Sequence, residues 1–99
     1  MARDLWAYRE VAVESCVDRR GLVAIRPLAG QAFAPTMKVQ CGRALREAYP
    51  VGTRFLLNAK MTDRQGGPHF LYAWHGDPVQ VLSAAAAKRF LLAFRRGRI

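Results

Sequence analysis

The sequence predicts a small α+β domain: an antiparallel sheet of about five strands, strongly bent or partly closed into a barrel, with a short mid-chain helix and a C-terminal helix. Three observations lead there. Apolar and polar side chains alternate along residues 8–17 and 54–62, the period of a half-buried strand. Gly- and Pro-bearing turns separate successive strand candidates by a few residues, as in a meander. Residues 84–96 form a run of strong helix formers.

In residues 8–17 the alternation puts Val11 and Val13 on one face, which is expected to meet the core. Asp18-Arg19-Arg20-Gly21 reads as a turn in which Gly21 can take positive φ, and residues 22–28 as the returning strand. Pro27 has no N–H for a ladder, so that strand must end there or lie on an edge. Residues 29–35 read as a loop and 36–40 as a short strand.

Residues 41–49 place Cys41, Ala44, Leu45 and Ala48 on one helical face, with Pro50 and Gly52 as stops. About two turns would not persist without tertiary packing. The clearest strand follows at 54–62, and Gly66-Gly67 turns the chain into its partner at 68–75. There Phe70, Tyr72 and Trp74 share one face; burial is the expectation for them, because the other face offers the core only His69, Leu71, Ala73 and His75. Gly76-Asp77-Pro78 turns into a last short strand at 79–82.

Ser83 fits an N-cap and Gly97 a stop for the final helix. A projection at 100° per residue gathers Phe90, Phe94, Ala87 and Leu91 opposite Lys88, Arg89, Arg95 and Arg96, leaving Leu92 out of place. A bent sheet of this size protects its edges as OB-like or SH3-like barrels do, an analogy of architecture that carries no function.

Ninety-nine residues suit one domain, 1–99, able to bury roughly two thirds of its unfolded surface without metals or disulfides. The 52% hydrophobic content overstates the core, since 16 of those residues are Ala. No signal-like stretch or membrane-span candidate occurs, and Cys16 and Cys41 are widely spaced, so a reduced, cytoplasmic setting is expected.

The net charge of +9 attracts polyanions. Residues 1–41 contribute six basic and four acidic groups and residues 42–99 ten and three, so the second half is expected to meet anything anionic. Thirteen of the 16 basic residues are Arg, which compositional bias alone could produce.

Catalytic and metal sites are weakly indicated. His69 and His75 stand about 20 Å apart if extended, too far to share a zinc ion with Cys16 and Cys41. Cys41 at a helix start would be a thiolate only with a lowered pKa, and a small buried hydrophobe explains it as well. His75 and Asp77 flank a turn and would make an acid/base pair only if a pocket held both, while Asp77 before Pro78 is already a good turn residue. No nucleotide-binding Gly-rich motif, nucleophile elbow or HExxH pattern occurs, and no cofactor is implied.

The reading that follows is a non-enzymatic nucleic-acid-binding module of low sequence specificity. Its phosphate contacts are expected from Arg26, Arg54, Lys60, Lys88, Arg89, Arg95 and Arg96, with loose stacking by Tyr72 and Trp74. The alternative is a protein-interaction or homodimerisation module using the amphipathic final helix or an open sheet edge. A small enzyme around His75 and Asp77 ranks third.

Overall fold

The two alternating stretches become the centre of the sheet. A computed structural model describes residues 7–63, 66–74 and 76–95. Strand β1 (Arg9–Val17) pairs antiparallel with β4 (Arg54–Thr62), setting Val11 opposite Leu57 and Val13 opposite Phe55. Strand β2 (Val23–Pro27) pairs antiparallel with β1, from Val17 opposite Val23 to Val13 opposite Pro27.

The turn between β1 and β2 is held by Asp18, whose Oδ1 accepts the Arg20 and Leu22 N–H groups at 2.8 and 3.0 Å. Gly21 takes φ +79° there, as the sequence expects. At the far end the edge strand β2 accommodates Pro27, whose nitrogen faces away from β1, and the Leu28 N–H still reaches the Ala12 carbonyl at 2.9 Å. The Gln31 side chain completes the pairing of fully buried Ala12: Oε1 accepts the Ala12 N–H at 3.1 Å, and Nε2 donates to the carbonyls of Ala12 and Leu28 at 2.6 and 2.9 Å.

Strand β3 (Val39–Gln40), helix α1 (Ala44–Glu47), β5 (Phe70–Tyr72), β6 (Gln80–Leu82) and helix α2 (Ala84–Arg95) complete the described elements. The sheet order is β2-β1-β4-β5-β3, with β6 antiparallel on the N-terminal end of β4 and β5 antiparallel on its C-terminal end. The sheet has six strands rather than about five, is mixed rather than wholly antiparallel, and is not closed into a barrel. The mixed character comes from β3, which runs parallel to β5: the segment between β2 and β3 carries the chain to the far edge instead of returning it beside its predecessor. The ends of the path, β2 and β3, then approach each other without a ladder.

The mid-chain helix is one turn, shorter than the sequence pattern over 41–49. Pro50 and Gly52 stop it, and only Leu45 is buried to anchor it.

Two apolar layers hold the fold. The inner one joins Val11, Val13, Ile25, Phe55, Leu57 and Leu71 with Leu45 of α1. The outer one seats α2 on the opposite face of the sheet, where Ala87 and Phe90 meet Ala12, Leu56 and Leu82. Ser83 caps α2 as expected, its Oγ accepting the Ala86 N–H at 3.1 Å.

The aromatic row takes the opposite face from the expected one. Leu71 and Ala73 are buried, while Phe70 and Tyr72 are partly exposed and Trp74 is 38% exposed. The core is not starved, because Phe33, Met37, Val39 and Cys41, from the segment between β2 and α1, pack against it.

Candidate nucleic-acid interface

Where β2 and β3 approach without pairing, the sheet leaves a groove of about 460 Å³. Alternation along β2 turns Ile25 into the core and Arg26 outward, so Arg26 stands on the groove wall. Lys38 precedes β3 on the opposite wall, Arg43 and Arg46 reach in from the α1 region, and Arg20 from the β1–β2 turn. Two acidic side chains, Asp18 and Glu47, oppose these five cations. Between the charges lies apolar surface from Leu22, Val23, Ile25 and Val39.

The acidic groups engage only part of this charge. Asp18 Oδ2 lies 3.8 Å from Arg20 and Glu47 Oε1 lies 3.8 Å from Arg43. In both pairs the arginine is largely solvated, which leaves the attraction weak. Arg26, Lys38 and Arg46 make no ion pair among the described residues. The Leu22 N–H bond is the main cause that holds the Asp18 carboxyl below its ordinary range; desolvation works against it, while the Arg20 N–H and the charges of Arg20 and Arg26 add to it.

The residues that the sequence singles out are distributed over several surfaces. Arg26 lies in this groove. Arg54, Lys88 and Arg95 line a second groove of about 380 Å³ between α2 and residues 28–30, but Arg54 is engaged by Glu14 at 3.2 Å. Glu14 also faces Arg26 across the β1–β2 ladder. Arg89 is exposed on α2. Lys60 holds its ammonium 5.7 Å from the Tyr8 ring centroid and lies opposite Tyr72 in the β4–β5 register. The Trp74 indole packs over Gly76, where any added side chain would collide with it. Arg96 lies outside the described residues.

Sequence reasoning missed Arg20, Lys38, Arg43 and Arg46. The charge count points to the second half of the chain, while Arg20, Arg26 and Lys38 of this groove belong to the first. No local pattern marks these side chains, because the elements that carry them meet only when the sheet curls.

Of the catalytic candidates, His75 lies outside the described residues, so its pairing with Asp77 has no described geometry. The Asp77 N–H donates to the Trp74 carbonyl at 3.1 Å, which is a turn contact. Cys41 is a free thiol whose pKa is pushed up by burial, with Arg46 opposing in part; that is the environment of an inert core cysteine. Among the described residues no helix is long and apolar enough to cross a membrane. No protein-family model matches the chain, and comparison with curated proteins and with solved structures returns no match.

Proposed function

We propose that the protein is a non-enzymatic nucleic-acid-binding module of low sequence specificity, which holds phosphates in the groove between β2, β3 and α1. One observation carries the reading: five cationic side chains surround a single open groove, and three of them make no ion pair among the described residues. Cations spaced along a groove neutralise successive phosphates and release counterions, a gain that does not depend on base identity. Lys88, Arg89 and Arg95 on the solvent side of α2 extend the positive field that steers a polyanion inward.

The competing reading, association through the apolar face of α2, has less surface to work with. Ala87 is buried and Phe90 packs on the sheet, leaving Leu92 as the large apolar side chain that α2 exposes. Two free thiols and a basic surface suit a reduced, cytoplasmic setting with nucleic-acid partners.

Fluorescence anisotropy with random-sequence DNA and RNA tests the proposal. Three to five phosphate contacts predict that affinity falls roughly ten- to several-hundred-fold between 50 and 200 mM salt. Binding that ignores salt would place the contact on apolar surface instead. No binding at 50 mM salt would end the nucleic-acid reading.

A further inference from the structure

The groove does not stop at β3. A second depression of about 600 Å³ shares Lys38, Val39 and Arg46 with it and continues along β3 toward Pro68, His69 and Phe70. The two form one channel over the β3 edge, and its lining changes along its length. At the β2 end the walls carry Arg20, Arg26 and Arg43; at the other end they are Met37, Pro68, the partly exposed Phe70 ring and His69.

We infer that the preferred ligand is single-stranded nucleic acid, laid along this channel with its phosphates on the cations and base faces against the apolar surfaces at either end. The inference rests on the nucleic-acid reading above and adds the strandedness of the ligand and its path. A duplex keeps its base faces inside the stack and offers a protein its phosphates and groove edges. It could use the cations of this channel but not Leu22, Val39, Met37 and Phe70, which lie between and beyond them. A single strand uses both, because unstacked bases gain on apolar and aromatic surface whatever their identity.

Cations and apolar residues both line the channel, so a strand that presents phosphates and base faces can meet each kind. The aromatic residues of the outer row therefore contribute unequally: Phe70 lines the channel, while Tyr72 lies opposite Lys60 and Trp74 packs on Gly76.

Anisotropy titrations with labelled oligothymidylate and a duplex, each about 20 nucleotides long and thus longer than typical single-strand sites, test the inference. At 200 mM salt the single strand is expected to bind at least about tenfold more tightly, because its apolar contacts survive the screening that removes phosphate contacts. The double variant Lys38→Glu/Arg46→Glu, both exposed positions, should lose at least about tenfold on the single strand with an unchanged circular dichroism spectrum. Photocrosslinking with iodouracil-substituted oligonucleotide should label residues 22–26, 37–46 and 68–70. Equal or tighter duplex binding would overturn the inference and leave the proposed function standing. Crosslinks confined to α2 would overturn the path. Failure of both ligands to bind at 50 mM salt would remove the proposed function itself.

Discussion

Gln31 shows how one side chain completes the pairing at a strand end. Beyond Pro27 the Leu28 N–H still reaches the Ala12 carbonyl at 2.9 Å, but the register ends at Val13 opposite Pro27, and the N–H of fully buried Ala12 must be paired elsewhere. The Gln31 amide answers with one acceptor and one donor group, each on the side where Ala12 needs it. Gln31→Ala should therefore cost about 1–3 kcal/mol, the desolvation of an orphaned buried donor. Gln31→Glu should cost at least as much, since the second carboxylate oxygen would face the Ala12 and Leu28 carbonyls where Nε2 now donates. Urea denaturation of the two variants checks this, and a Glu variant as stable as the parent would show that the donor half of the contact is dispensable.

At the scale of an element, the β1–β2 hairpin depends on an ionised turn residue. Asp18 gathers the Arg20 and Leu22 N–H groups while Gly21 supplies the positive φ. Its folded pKa lies below the ordinary value of 3.8, so its contribution to stability is complete above that pH and is lost as pH falls through the lower folded value. The hairpin, and with it the Arg20 and Arg26 side of the groove, should loosen only in acid. Thermal melts from pH 6 to pH 2 should show a shallower acid decline for Asp18→Asn than for the parent, because the amide oxygen still accepts both N–H groups but no longer titrates. An unchanged slope below about pH 4 would mean that other carboxylates set the acid limit.

For the whole molecule, the question is whether the ion pairs or the excess charge dominates. The pairs Arg43–Glu47 and Arg20–Asp18 are largely solvated and weak, and Arg54–Glu14 is partly exposed. Against them stands a net +9 on a body of 37 × 35 × 23 Å, with five cations around the groove between β2 and β3 and three exposed on α2. Self-repulsion should win, so the melting temperature should rise by a few degrees between about 20 and 200 mM salt as screening shortens from tens of ångströms toward about 8 Å. A melting temperature that falls with salt would show that the pairs matter more than their exposure implies. The same repulsion is what a bound polyanion would relieve, so ligand and salt should stabilise through a shared surface.

Much of the secondary structure was legible in the sequence. The alternation along residues 54–62 marks β4 at its observed bounds, Gly21 and Pro27 delimit β2, and Ser83 followed by a helix-forming run starts α2 where the structure has it. These features are local: a period of two, a missing N–H and a capping hydroxyl act within a few residues of themselves. What only the tertiary structure decided is which face of each element is covered. The Phe70–Tyr72–Trp74 row turned outward because Phe33, Met37 and Val39, in a segment with no periodic signal, had already supplied the core. The channel likewise joins Arg20, Arg26, Lys38 and Arg46 from four separate segments. Alternation states that two faces differ, but long-range packing chooses the buried one, and a groove built at the unclosed seam of a curled sheet has no local sequence to announce it.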